Sequence, residues 1–560
     1  MAKISGAEVL VRSLRAEGVD TLFGLPGNAI FALYEACDLD GNIRLINTRH
    51  EGAAVFAAEA YARVKRQPGV VAVTEGPGFA NAMPGLAHAQ VTGSPVLVIS
   101  GMCPSYLIGK IAMQELPAAT MAAAMTKWSA QVPTIDRIPE YVAVAFRRLR
   151  AGREGPVHLA IPVDLMEGLV DEDAICIRPS SRSGPTAGSG ASPTAVSQIA
   201  DLLASAQRPV VIAGSSAYWT GADAALKELV ELTGTPFSLR DSARGMIPDD
   251  HPLAANHETL GQADLIVLIG QRTNDHTVRP LPKGARLVQV DSAAEDIGHN
   301  VQLEVGVAGD PAVFAQQLLE EAKTRQWPNR GNSWPIPAPI PTEDRKPLEN
   351  APGALHPLSV FEIAEQFADK TTIRTYEHGN FGFWLQGWLK VGRACGLMSS
   401  DGPGQVGVGI PFALGAAAAE PGTRVICYTG DLAVGFHALE FETAVRNRLP
   451  FVAIVGNDSG MAIEEHYQTA MFGEGRNVGS QFSPARYDLL VQALGGYGER
   501  VERLEDLAPA IERAFASGKP ACIDVTVSKA KGPLTNWTVN DMTIRLHDHA
   551  AGIRHEPVFG

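Results

Sequence analysis

The chain has 560 residues, 45% of them hydrophobic and 19% charged, which is globular composition with room for three or four domains. Its formal net charge of −14 argues against non-specific nucleic-acid binding. The six cysteines, Cys37, Cys103, Cys176, Cys395, Cys427 and Cys522, are scattered without CxxC spacing, which argues against a zinc site or disulfide framework and for a reducing cytoplasm.

The opening MAKISGAEVLVRSLRAEGVD carries the apolar spacing of an amphipathic helix and does not read as a signal peptide. Short apolar runs at Thr21–Gly24, Val70–Thr74 and Val96–Ser100 read as strands. A glycine loop, Glu75–Asn81, follows the second run; it lacks the Lys-Ser/Thr of a P-loop and the spacing of a dinucleotide fingerprint. Arg178–Pro193 is rich in Ser, Gly and Pro and reads as a linker. Strands are expected next at Pro209–Ala213, Leu265–Gly270 and Leu287–Asp291. The polar stretch Gly270–Asp275 suits either a ligand contact or an ordinary loop. A proline-rich connector spans Gln326–Pro357. Beyond it, strands are expected at Thr372–Tyr376, Arg424–Thr429, Phe451–Gly456 and Ala521–Val527. The Gly/Ala-rich run Gly407–Glu420 is too short for a membrane span. Strands alternating with helical patterns imply three α/β domains with parallel sheets in series, over 1–177, 190–325 and 355–535, with a tail from 536 to 560.

The stretch GDLAVGFHALEFETAVRNRLPFVAIVGND, Gly430–Asp458, reads as a strand end, a helix from His437 to Val445 stopped by Pro450, and a second strand. Strand C-termini in a parallel sheet share one rim, so Asp431 and Asp458 can meet there across 27 residues. Two carboxylates beside glycine-rich backbone suit Mg²⁺ holding a phosphate; two unrelated solvated aspartates are the bland alternative.

That stretch, together with RHEGAAVFAAEAYAR at Arg49–Arg63, resembles the thiamine-diphosphate enzyme superfamily, and most closely its acetolactate synthase, benzaldehyde lyase and 2-hydroxyacyl-CoA lyase group. GLPGNAIFALYEA from Gly24, TEGPGFANA from Thr74 and GQVGVGIPFALGAA from Gly404 are similar to further family segments in the same order. The resemblance implies a pyrimidine-binding, a central and a diphosphate-binding domain, and the cofactors thiamine diphosphate and Mg²⁺. Asp431, Asp458 and the carbonyl of Gly460 would hold the metal, with Gly430, Leu432, Ala433 and Met461 along the diphosphate loop. Two positions depart from the family: Leu432 stands where Gly is frequent, and Asp458 where Asn is usual. The added charge costs cofactor affinity unless a cation absorbs it.

Glu51 matches the carboxylate that bonds the aminopyrimidine and favours the tautomer that takes the thiazolium C2 proton. Gly404 would offer a carbonyl to that ring, and Val406 would fill the bend of the cofactor. His378, Gly379 and Asn380 would touch the diphosphate. Gln114 either faces the substrate or is a helix-surface amide. Ala29, Phe79 and Asn81 are placed at the mouth; Glu464, Glu465 and His466 either line the pocket or form a surface cluster.

The resemblance also implies an active site shared between subunits of a homodimer or homotetramer, and a small-molecule substrate. The central segment His251–Asp264 is short and lacks the loop that packs on FAD in acetolactate synthases, so FAD is not expected. The reading preferred from sequence is a C–C lyase or carboligase on 2-hydroxyacyl or 2-oxo compounds through an enamine, with acyl-CoA among the candidate substrates. The alternatives are an acetolactate synthase-like decarboxylase/ligase and a non-catalytic regulatory relative. The tail Lys529–Gly560 suits a lid or a surface strap.

Overall fold

A computed structural model describes residues 2–182, 188–278, 280–330, 353–386, 388–400, 402, 404–532 and 535. Strands number, in chain order, β1 (Lys3–Ser5), β2 (Thr21–Leu25), β3 (Arg44–Asn47), β4 (Gly69–Val73), β5 (Val96–Met102), β6 (Trp128–Gln131), β7 (Val157–Pro162), β8 (Leu169–Asp171), β9 (Pro209–Ala213), β10 (Phe237–Leu239), β11 (Leu265–Ile269), β12 (Arg286–Asp291), β13 (Val305–Ala308), β14 (Ile373–Tyr376), β15 (Leu397–Met398), β16 (Val425–Gly430), β17 (Val452–Asn457), β18 (Tyr497–Val501) and β19 (Ala521–Thr526).

They form three wound sheets ordered β3-β2-β4-β5-β7-β6, β10-β9-β11-β12-β13 and β15-β14-β16-β17-β19-β18, and a small ribbon of β1 with β8. Every pairing within the three large sheets is parallel, so each needs a crossover and helices cover both faces. The continuous apolar runs are the central strands: β4, β9, β11 and β17 are buried along their whole length. The three α/β domains expected from the alternation are present in series.

The expected first helix is Gly6–Ala16, closed by a capping box between Ser5 and Glu8. The first linker starts on this helix, where the Ser180 amide and hydroxyl both donate to Glu17 at 2.6 Å. The second linker lies outside the described residues from 331 to 352, and its last residue, Pro357, begins the helix Pro357–Ala364.

Helices Glu51–Lys65 and Gly409–Ala419 join the first and third domains face to face. Both are Ala-rich, and the approach is so close that a side chain at Gly415 would start 2.1 Å from the Ala57 carbonyl. Behind them lies a dry ion cluster. Glu59 accepts from Arg63 at 2.7 Å and sits 2.6 Å from His88 Nδ1, and the other His88 nitrogen lies 3.2 Å from the Ser400 carbonyl of the third domain. Burial pushes the Glu59 carboxyl up, but the adjoining His88 and Arg63 outweigh it and hold the group at about 2.

The single helix expected from His437 to Val445 is two, Asp431–His437 and Glu440–Asn447. Between them the amides of Phe441 and Glu442 bond three residues back, to Ala438 and Leu439, so the turn tightens and the axis bends. The acidic residue at the start of the first piece is the N-terminal signal that reveals it. Among the described residues no helix is long and apolar enough to cross a membrane.

Candidate active site

β16 and β17 pair in a register that sets Gly430 beside Gly456. Asp431 and Asp458 each follow the last residue of their strand, so both emerge on the same rim. Asp431 is buried at the first position of its helix; its Oδ1 accepts from the Leu432 amide at 2.9 Å and its Oδ2 from the Gly460 amide at 3.0 Å. Ser459 adopts φ 57°, which turns the chain back so that Gly460 reaches Asp431. Burial raises Asp431 to about 6. Burial, and then the neighbouring Asp431 carboxylate, raise Asp458 to about 8, opposed by Lys529.

Among the described residues, buried Asp458 Oδ1 has no hydrogen-bond partner. A buried orphan oxygen beside a second carboxylate is a donor set that a hard cation satisfies, so these residues fit Mg²⁺. Among the described residues no group of three or more His, Cys, Asp or Glu side chains is placed to hold a metal. Leu432 is half-buried and Ala433 buried in the same turn, and the Met461 amide is spent on the Ser480 carbonyl at 2.7 Å.

The loop carrying Gly404 and Val406 is pinned from below by groups that the sequence reading passed over. Buried Glu377, raised to about 7 by burial, accepts from the Gly407 amide at 3.1 Å and from the Gly409 amide. The His437 Nδ1–H donates to the Gly407 carbonyl at 2.7 Å, and burial lowers this histidine to about 4, so it is neutral. Gly407 needs its glycine: φ is 92°, and a Cβ would lie 2.5 Å from Phe436. Gly404 has φ 63°, no atom of the described residues lies within 4 Å of where a Cβ would sit, and Val406 is half-buried. His378 is half-buried between Tyr376 and Phe383. Gly379 has open space where a side chain would be. The Asn380 side chain is occupied within the chain: it donates to the Ala530 carbonyl at 3.0 Å and accepts from the Thr535 hydroxyl at 3.1 Å. A role at the diphosphate is left to its backbone. Glu377 had a signal, a lone acid directly after the buried strand Ile373–Tyr376 and before His378.

Glu51 opens its helix and is 6% exposed, so it is not the surface residue that a helix start usually offers. His50 caps the helix by accepting from the Gly52 amide at 3.0 Å. Asn81 donates to Glu51 Oε2 at 3.1 Å, and a side chain at Gly78 would come within 3.3 Å of Oε1. The glycine loop is thus the first turn of the helix Pro77–Thr92, which sets Asn81 on Glu51. Phe79 points the other way; it is fully buried against His158, 4.6 Å between ring centres, and braces the helix from the core instead of lining the mouth. Ala29 is buried under Gly101.

Gln114 is not on a helix. It lies exposed in a turn with φ 63°, its backbone against Gly76. Glu440, raised to about 7 by burial, clamps the approach to Glu51 by accepting from the amides of Arg49 at 3.0 Å and His50 at 3.1 Å. Of the acidic pair after the metal loop, Glu464 faces solvent and Glu465 is the buried member, bonded to Lys529. His466 is half-buried with Nε2 3.0 Å from the Lys529 carbonyl. Of the tail, residues 529–532 and 535 cross this rim, and 536–560 lie outside the described residues.

Family models for thiamine pyrophosphate enzymes match all three domains: the N-terminal TPP binding domain at residues 4–123, the central domain at 196–318 and the C-terminal TPP binding domain at 377–525. A probable acetolactate synthase of Mycobacterium bovis is 32% identical over 535 residues, covering 92% of this chain and 94% of its own. The catabolic acetolactate synthase of Raoultella terrigena is 29% identical over 557 residues, covering 94% and 96%. The 2-hydroxyacyl-CoA lyase 1 of Homo sapiens is 30% identical over 558 residues, covering 94% and 95%. With a buried Glu51 on one wound sheet and paired aspartates on the rim of another, the chain belongs to the thiamine pyrophosphate enzyme family.

Proposed function

We propose that the protein is a thiamine-diphosphate- and Mg²⁺-dependent enzyme of acetolactate synthase type, which decarboxylates a 2-oxo acid and joins the remaining acyl unit to a second carbonyl compound. The observation that carries catalysis, as opposed to a cofactor-free regulatory role, is Glu51: buried, and hydrogen-bonded to Asn81. The substrate class rests on the likeness to acetolactate synthases.

When bound, the cofactor supplies an electron sink for the carbanion left by C–C cleavage. The chain's own residues do the rest. Asp431, Asp458 and the Gly460 carbonyl would hold Mg²⁺. Glu51 holds a proton at its carboxylate for the pyrimidine ring; Asn81 fixes the orientation, and the dry surroundings keep that proton shared instead of lost to water. Gly404 and Val406 would seat the ring on a loop held by Glu377 and His437. Gln114 would orient the substrate. Exposed apolar side chains near it, Tyr106, Ile111 and Met113, support an assembly of at least two copies with active sites at their interface. A cytoplasmic enzyme is the setting this reading assumes.

A second reading, a C–C lyase on 2-hydroxyacyl compounds including CoA thioesters, is favoured by the full-length likeness to 2-hydroxyacyl-CoA lyase 1. Purified protein supplied with thiamine diphosphate and Mg²⁺ is expected to turn pyruvate, alone or together with 2-oxobutyrate, into CO₂ and an acetohydroxy acid. Aldehyde release from a 2-hydroxyacyl-CoA without 2-oxo acid turnover supports the second reading. Turnover of neither contradicts both.

A further inference from the structure

The diphosphate loop carries two acids, Asp431 and Asp458, directly after the ends of neighbouring strands. The rim answers them with an ammonium. β17 and β19 pair with Asn457 opposite Thr526, and the Val527 amide donates to the Asn457 carbonyl at 3.1 Å. Asp458 and the segment leading to Lys529 therefore leave the sheet at the same edge.

That segment is fixed. His466 Nε2 lies 3.0 Å from the Lys529 carbonyl, and the next carbonyl, of Ala530, accepts from Asn380 and from the Trp384 ring, both at 3.0 Å. The Lys529 ammonium bonds Glu465 Oε1. Both groups press on Gly460, where a Cβ would lie 2.6 Å from Glu465 Oε1 and 2.7 Å from Lys529 Nζ. The Gly460 amide in turn bonds Asp431 Oδ2 at 3.0 Å. One glycine thus separates the ammonium from the aspartate pair. The Glu465 side chain is 9% exposed and that of Lys529 30%, so the charges meet largely out of water.

We infer that Lys529 offsets the charge which Asp458 adds, so that the rim presents a divalent cation with its matching negative charge and still admits a diphosphate. By formal charge, Asp431, Asp458 and Glu465 against Lys529 leave two net negative charges, the number that one Mg²⁺ matches. Without it the diphosphate meets one uncompensated carboxylate. The inference rests on the Mg²⁺ reading of Asp431 and Asp458.

The test is calorimetric titration of the full chain with thiamine diphosphate at saturating Mg²⁺, comparing wild type with Lys529→Met, Lys529→Arg and the double variant Lys529→Met/Asp458→Asn. Lys529→Met is expected to bind about tenfold more weakly, and Lys529→Arg within about threefold of wild type. The double variant, which restores the charge count, is expected to return to within about threefold of wild type. A double variant as weak as Lys529→Met means that the lysine acts only by packing on Glu465, which overturns the inference; so does Lys529→Met binding like wild type. Should Lys529→Met fail to fold, Glu465→Gln/Lys529→Met removes the pair at constant charge, and weak binding by that folded protein overturns the inference. Wild type that binds no thiamine diphosphate with Mg²⁺ rejects the metal reading itself, and this inference with it.

Discussion

The first and third sheets are wound alike. Counted within its own sheet, each runs second, first, third, fourth, sixth, fifth strand across. The helix after the second strand of each, Glu51–Lys65 and Gly409–Ala419, packs on its counterpart. The chemistry is placed differently on the shared frame. In the first domain the working carboxylate follows the second strand and sits alone with an amide partner. In the third, carboxylates follow the third and fourth strands and face each other. On the proposed function, one frame would serve two tasks: a lone dry acid that manages a proton, and a pair of acids that holds a cation. What differs is which strand end bears the acid and whether a second acid is near it.

This contrast predicts that the two domains fail differently. Glu51→Gln should lower turnover on the order of 10²–10⁴-fold while thiamine diphosphate affinity stays within a few-fold, read by steady-state kinetics beside calorimetry. Asp431→Ala should weaken Mg²⁺-dependent cofactor binding by about 100-fold and leave the fold intact by circular dichroism. Equal loss of binding in both variants would break the comparison.

The clamp between the domains gives a pH signature. Glu440 is raised from 4.5 to about 7 by burial, so the folded chain holds a proton that the unfolded chain releases. Its contribution is complete below pH 4.5 and is lost as the pH rises through about 7. Glu440→Gln still accepts from the Arg49 and His50 amides but does not titrate. Relative to wild type it should gain on the order of 2–3 kcal/mol of stability between those limits, measured by denaturant unfolding at successive pH values. His437, lowered to about 4, acts in the opposite sense, adding stability above pH 6.5 that is lost toward 4, and it is common to both proteins. Parallel pH profiles would contradict the clamp. The smallest effect belongs to Glu464→Gln: this side chain faces solvent, and stability should move by no more than about 0.5 kcal/mol in thermal melts.

Much of this was legible in the sequence because it is local. Short apolar runs ending in Gly-Asp and Asn-Asp announce strand ends, and parallel register then brings Asp431 and Asp458 to one rim. RHEGAAVFAAEAYAR announces Glu51 at a helix start. What stayed hidden joins distant segments. Glu440 meets Arg49 across 391 residues, and Lys529 meets Glu465 across 64. Periodicity carries no trace of such pairs. Short or polar strands such as β6, WSAQ, and β18, YGERV, lie at sheet edges and lack the apolar run by which central strands are read. Phe79 misled because its place beside Asn81 in the loop says nothing of direction; once the loop proves helical, neighbours two apart point to different faces.

The most direct test of the division between the two sheets is the rate at which the thiazolium C2 proton of bound thiamine diphosphate exchanges with deuterium, followed by NMR in wild type and Glu51→Gln at saturating Mg²⁺. The account predicts full occupancy in both proteins and exchange slowed by at least about 100-fold in the variant. Equal exchange rates at equal occupancy would show that Glu51 does not govern the proton, and the claim that the first sheet supplies the acid–base half of the site would fall.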